Sequence, residues 1–312
     1  MLGLAHRNFT MKALVTVFLL GVTVAQAAPL KPDAVPKPVA DMIRIAVDSG
    51  DPVLAAKMVQ LAKTSNPTAV VAIDALYAKL TAGAERRRRA ALRRQRLDQG
   101  WKGKGEFGAF DTRGDVNSTG VTAALSFVRD GLRWKQEFTG AVDYLHHDGI
   151  EERDRYFVGH QANYKFSDRL YALALGSWEG NHAQGFDSRV VVSVGAGVTL
   201  IKATHMGMTV EVSPAMRATN YVGAQSDASF AARVAGNYHW DVTPRINFNE
   251  DATYYRESDD QTLTSETAMT VRLIGALSAR FSYRLQKESK ALPLPALRSN
   301  DSTSRMSLVY TF

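Results

Sequence analysis

From Trp101 to the C-terminal Phe312 the chain alternates apolar and hydrophilic residues, and this period of two is what most limits its fold. Between Arg133 and Tyr144, the residues Trp134, Phe138, Val142 and Tyr144 share one parity, while Arg133, Lys135, Glu137, Thr139 and Asp143 share the other. Val190, Val192, Val194, Ala196, Val198 and Leu200 alternate with Ser193, Gly195, Gly197 and Thr199. Leu277, Ala279, Phe281, Tyr283 and Leu285 alternate with Ser278, Arg280, Ser282, Arg284 and Gln286. Each run is a strand with one apolar face. A length of about ten residues is what a strand tilted across a bilayer requires.

A soluble antiparallel sheet alternates too, so the rhythm of the connections has to separate the two cases. Strand candidates begin near residues 101, 117, 132, 154, 169, 188, 207, 227, 244, 263, 276 and 302. Short connections at 129–131, 167–169, 241–244 and near Gly275 alternate with longer polar ones at 112–117, 146–153, 181–187, 220–227, 257–262 and 287–301. An even number of strands with short turns at one end and long loops at the other predicts an antiparallel transmembrane β-barrel of twelve strands, residues 98–312. Both barrel termini then lie at the short-turn, periplasmic end. Trp134, Tyr144, Tyr156, Phe166, Trp178, Trp240 and Tyr254 recur near predicted strand ends, as interfacial aromatic belts do. The mean hydropathy of -0.19 does not conflict with a membrane location, because half of every barrel strand is polar.

The start of the chain predicts export. The apolar stretch from Ala13 to Val24 is too short for a spanning helix, which needs about 20 residues. Arg7 and Lys12 precede it, and Ala25 and Ala27 stand at the small-residue positions that a signal peptidase reads. Residues 1–27 are therefore expected to be a cleaved signal peptide, with synthesis beginning at Met1 or Met11. The chain has no cysteine and hence no disulfide framework, and its formal charge of +7 is too mild to argue for nucleic acid.

Residues 28–97 read as a periplasmic α-helical segment. Val39, Met42, Ile43 and Ala46 mark a first helix that stops at Gly50. Asp51-Pro52 and Asn66-Pro67 each read as an N-cap followed by a first-turn proline. Leu54, Met58 and Leu61 share a face of the second helix, and Val70, Ile73, Tyr77 and Leu80 a face of the third. Arg86, Arg87, Arg88 and Arg89, with Arg93, Arg94 and Arg96, then crowd one stretch. They read either as a solvated connector or as a dock for lipid headgroups, an acidic polymer or a periplasmic partner.

The last strand adds a further signal. Met306, Leu308, Tyr310 and Phe312 share one face, and the chain stops on the aromatic. Trp101-Lys102-Gly103, Glu106-Phe107-Gly108, Gly114-Asp115-Val116-Asn117-Ser118-Thr119, Arg133-Trp134, Tyr164 to Tyr171, Phe186-Asp187-Ser188-Arg189 and Gly195-Ala196-Gly197 follow in order. In these stretches residues 98–312 resemble the salt-induced outer-membrane protein family, also known as domain of unknown function 481. The chain departs from the family where Asp115 and Val116 separate Gly114 from Asn117. The resemblance implies an outer-membrane barrel embedded in phospholipid and lipopolysaccharide. It also implies that the barrel-assembly machinery reads the terminal strand. It implies no defined activity.

Chemistry is hard to find. A barrel phospholipase would favour His-x-Ser, and no histidine in this chain is followed by serine two residues on. A nucleophile and a base can still meet across strands, so a lipid- or peptide-modifying enzyme stays an alternative, as does a cell-wall or partner-binding module carried by the helices. His146-His147-Asp148, Glu151-Glu152 and Asp259-Asp260 are better read as solvated loop residues than as metal ligands, and no cofactor motif is present. The inward parity holds Lys135, Glu137, Asp143, Lys165, Glu211, Arg233, Asp251, Glu266, Arg272, Arg280, Arg284 and Arg305. Mixed signs favour a lumen closed by ion pairs over an open pore. The arginines of the last strands, Arg272, Arg280, Arg284 and Arg305, are the candidates to make a leak anion-selective. Residues 287–301 are a candidate lid, and the expected role is a structural envelope barrel or a narrow passive channel.

Overall fold

In the computed structural model the alternating region is a closed antiparallel barrel of twelve strands. The structure describes residues 34–96, 98–113, 118–146, 155–223, 226–258, 260–289 and 300–312. The strands are β1 (Trp101–Arg113), β2 (Ser118–Asp130), β3 (Trp134–His146), β4 (Arg155–Lys165), β5 (Leu170–Asn181) and β6 (Phe186–Lys202). They continue as β7 (Met206–Tyr221), β8 (Asp227–Asp241), β9 (Ile246–Arg256), β10 (Gln261–Ile274), β11 (Leu277–Glu288) and β12 (Asn300–Thr311). Sequence neighbours pair, and β12 closes on β1 in a register that sets Phe107 opposite Leu308 and Gly105 opposite Tyr310. Closure leaves no open sheet edge in the hydrocarbon, where unpaired backbone groups have no water to bond.

The apolar parity faces outward. Phe107, Leu125, Phe138, Val158, Val194, Phe230 and Met306 are all exposed, Phe230 at 81%. In a soluble protein such a surface would be an aggregation hazard. Here it is the lipid-facing band. Trp134, Tyr164, Phe166, Trp240 and Phe248 lie toward its short-turn rim, and Tyr144, Tyr156, Trp178 and Tyr254 toward the far rim. The terminal Met306, Leu308, Tyr310 and Phe312 are exposed on this outer face, and the Phe312 ring packs edge-on to Phe127, 6.0 Å between centroids.

Both barrel termini share an end with the tight turns 131–133, 166–169, 203–205, 242–245 and 275–276. At the far end the sequence reading needs correction. Residues 181–187, 220–227 and 257–262 are not long polar loops, because strands run into them: β5 ends at Asn181 and β6 begins at Phe186, β7 ends at Tyr221 and β8 begins at Asp227, and β10 begins at Gln261. β6 has 17 residues and β7 has 16. At about 3.3 Å per residue, β6 is roughly 56 Å long, well beyond what an apolar band about 25 Å tall needs. The polar residues read as loop are hydrated strand ends, where Asn220 donates to Ser188 Oγ at 2.8 Å across the ladder.

Before the barrel, α1 (Lys37–Asp48), α2 (Pro52–Ser65) and α3 (Val70–Arg94) bury Ile43, Ala46, Val47, Ala55, Val59, Ala62, Ala69 and Ile73 together. Gly50 ends the first helix at φ +75°. Asp51 caps α2, accepting from the backbone N–H groups of Val53 at 2.8 Å and Leu54 at 3.1 Å. Asn66 does something other than the capping expected of it. Its side-chain amide donates to the Ala62 carbonyl at 3.0 Å, finishing α2, and Pro67–Ala69 form a single 3-10 turn before α3. The buried face of α2 is also rotated from the expected one. Ala55, Val59 and Ala62 point inward while Leu54 and Leu61 are exposed, because three helices this close accept small side chains between them.

Replacing Asp51 with alanine leaves two helix-start N–H groups without an acceptor, which costs about 1 kcal/mol. Limited proteolysis of the full chain should then cut between α1 and α2 about fivefold faster. An unchanged cleavage rate would show that the cap carries no stability.

Candidate functional site

Arginines and carboxylates from strands all round the barrel meet inside it. Near the far end, Arg305 on β12 bonds Asp143 on β3 at 3.1 Å. Arg155 on β4 reaches the same Asp143 at 3.2 Å and Glu179 on β5 at 2.7 Å. On the other side of the lumen, Arg189 on β6 bonds Glu288 on β11 at 2.7 Å. Arg217 on β7 reaches Glu288 at 3.6 Å and Glu257 at 2.5 Å. Arg189 and Glu288 come from strands five apart in a ring of twelve, so this pair crosses the lumen instead of following its wall. The turn at 182–185 joins the closure, with Gln286 donating to Gln184 at 3.1 Å. Arg189 lies over the Phe186 ring, 4.1 Å from its centroid, and that ring is fully buried.

Lower in the barrel a second set forms around two acids. Glu266 on β10 receives Arg280 at 2.7 Å and Arg284 at 3.1 Å. Glu211 on β7 accepts from Gln161 at 2.8 Å, Tyr171 at 3.0 Å and Arg233 at 3.0 Å. Each pair holds side chains that would otherwise be solvated separately, and a buried ion is costly when its partner is absent. A cavity of about 70 Å³ lies between Asp143, Gln184, Glu266, Arg284 and Arg305.

From the short-turn end a cavity of about 1210 Å³ runs up the lumen as far as Arg155, Glu179, Arg189 and Arg217 of the ion-pair belt. Its mouth is basic. Arg133, Lys165, Arg169 and Lys202 stand on the rim, and Arg88, Arg89 and Arg93 of α3 line the same space from below. The arginine-rich stretch is therefore divided by its surroundings. Arg87 pairs with Asp48 at 2.7 Å, Arg86 donates to its own helix at the Ala82 carbonyl, and Arg88 and Arg89 flank Glu85 at 3.7 and 3.8 Å. Arg129 fixes the approach of the helices to the barrel. Its guanidinium is buried and donates to the carbonyls of Gln99 at 2.9 Å and Arg96 at 3.1 Å.

The candidate lumenal arginines divide accordingly. Arg280, Arg284 and Arg305 enter the network, each bonded to an acid from another strand. Arg272 has the same parity but stands exposed at the short-turn rim. Parity found Asp143, Glu211, Arg233 and Glu266 as well. It missed Arg155, Glu179, Arg189, Arg217, Glu257 and Glu288, which sit in or beside segments read as loops. Extending the alternation through those segments would have placed Arg189 and Arg217 on the inward face. Ala25, Ala27, His147, Asp148, Glu151, Glu152, Asp259 and most of the 287–301 stretch lie outside the described residues. Of that last stretch, Glu288 belongs to the ion-pair belt.

His160 also lies where the sequence left it unplaced, on the lipid-facing side. Its Nε2 is 2.7 Å from Gln136 Oε1, and its ring stacks on Phe138. Its cross-strand neighbours are Phe138 and Gly176, neither of which can act as a nucleophile.

Among solved structures, the barrel is similar to the NanC porin with a TM-score of 0.47 and 9% identity, over 66% of this chain and 98% of that one. It is similar to the translocator domain of the autotransporter NalP from Neisseria meningitidis with a TM-score of 0.44 and 11% identity, over 75% and 96%. Among curated proteins, "Uncharacterized protein YdiY" of Escherichia coli (strain K12) is 21% identical over 198 residues, covering 64% of this chain and 78% of that one. The family described as "Protein of unknown function, DUF481" matches residues 105–312. The chain is a closed twelve-stranded β-barrel with an apolar outer face, and it belongs to the DUF481 family.

Proposed function

We propose that this barrel contributes to the envelope as a mostly closed, narrow passive channel, wide and basic at its periplasmic mouth and shut near its outer end. The observation that carries the reading is the chain of ion pairs from Arg189 through Glu288 and Arg217 to Glu257, which crosses the lumen. Barrels of sixteen or more strands leave an aqueous channel, whereas a smaller one can be filled by its own side chains. The basic mouth favours small anions as the solutes that enter it. In this reading residues 1–27 direct export and are removed, the helices stand in the periplasm, and Arg88, Arg89 and Arg93 add to the positive field at the mouth.

A non-enzymatic role is supported by what the polar lumenal groups do. Asp143, Glu179, Glu211, Glu257, Glu266 and Glu288 are each held by an arginine, and lipid-facing His160 bonds Gln136 and pairs with Phe138 and Gly176, none of which is a nucleophile. The test is single-channel conductance of the refolded chain in a planar bilayer, with folding checked by heat-modifiable gel mobility. Small, steady, anion-preferring openings are expected. Porin-sized openings from the wild-type chain would overturn the closed-lumen reading.

A further inference from the structure

Two polar clusters interrupt the lipid-facing band. On β9 and β10, Glu250 points outward, and its carboxylate accepts from Ser265 Oγ at 2.6 Å and from Thr267 Oγ1. On β3 and β4, His160 and Gln136 form the second cluster. The inward positions of Asp251 and Glu266 next to Glu250 and Ser265 show that the outward placement is not a slip of register, because side chains alternate faces. A carboxylate or an imidazole facing lipid is unfavourable, and it marks a functional contact by default.

The two clusters are related in a specific way. β3–β4 and β9–β10 are six strands apart in a closed ring of twelve, hence on opposite sides of the barrel. They also lie near the same, short-turn rim. Gln136 is two residues beyond Trp134, and Glu250 is two beyond Phe248, which pairs with Trp240. Both are thus one outward position inside the same aromatic girdle. Their chemistry is complementary, since the amide N–H groups of Gln136, whose Oε1 accepts from His160 Nε2, can donate to the Glu250 carboxylate. Each cluster has one aromatic beside it, Phe138 opposite His160 and Tyr238 opposite Glu250, with small residues next to these. Gly140, Ala162, Ala174 and Gly176 surround His160, while Gly236 and Ala252 adjoin Glu250. Small residues allow close approach in membranes, where packing and hydrogen bonds hold proteins together.

We propose that these faces bind each other between copies of this chain, the Glu250 face of one barrel against the His160 face of the next. Copies share one orientation in the membrane, so such a contact demands that both faces lie near the same rim. The two faces differ and lie opposite each other, so the contact does not close on itself. It leaves a free face at each end and builds rows in the membrane plane.

The chain has no cysteine, which makes cross-linking direct. Ala162→Cys and Ala252→Cys in one chain, treated in native membranes with a short bismaleimide, should give a ladder of dimers, trimers and higher species. Either substitution alone should stay monomeric. Adding Glu250→Leu should reduce the ladder about tenfold while heat-modifiable mobility still reports a folded barrel. The proposal is overturned if the folded double variant gives no ladder, as it would if phospholipid amines occupied both clusters. Dimers from a single substitution, or a ladder that survives Glu250→Leu, would overturn it equally.

Discussion

Glu288→Ala should open the outer end of the lumen and make the protein conduct several-fold more current, with a preference for anions. Glu288 receives both Arg189, at 2.7 Å, and Arg217, at 3.6 Å, and its side chain is 10% exposed. Removing it releases the ion pairs that tie β11 to Arg189 of β6 and Arg217 of β7. It also leaves Arg189 with Thr219 and Arg217 with Glu257 and Thr262, so positive charge is in excess inside the lumen. Breaking a buried pair from one side typically costs about 3 kcal/mol or more. A fall in the heat-modification temperature should therefore accompany the rise in conductance. Glu288→Gln, which keeps the volume and a hydrogen-bonding oxygen, should lie between wild type and alanine. Conductance unchanged in a folded Glu288→Ala protein would mean that the belt does not set the constriction.

The second large effect is expected at the seam. Gly108 on β1 sits against β12, and a Cβ there would lie 2.4 Å from the Met306 carbonyl oxygen and 2.5 Å from Ser307 Cβ. The obstacle is mostly backbone in a hydrogen-bonded ladder, which has no rotamer to move into. Overpacking a core costs typically 1–3 kcal/mol, and here the clash falls on the contact that closes the ring. Gly108→Val should leave most of the protein unassembled, without the compact, heat-modifiable form on a gel. Gly176 on β5 is the matched control, since a Cβ there meets nothing within 4 Å, and Gly176→Val should assemble normally. Equal assembly of the two variants would show that β1–β12 pairing tolerates a shift the geometry forbids.

Period two in residues 101–312 was enough, with turn rhythm, to determine an antiparallel membrane barrel, its number of strands and the inward face of Asp143, Glu211, Arg233 and Glu266. Alternation is a local property, and closing the ring follows from leaving no strand edge in lipid. The helices were likewise legible from Asp51, Pro52 and Gly50, because caps act within a few residues. Strand length was not legible. Ser188, Arg189 and Asn220 have the polarity of a loop, and only pairing with the neighbouring strand turns them into a ladder. For the same reason the belt escaped sequence reading. Arg189 and Glu288 are 99 positions apart, and their meeting depends on the curvature that places β6 opposite β11. Sequence determined which residues face inward, while tertiary structure decided which charges meet, because ion pairing acts over a few ångströms and only ring closure brings those strands within that distance.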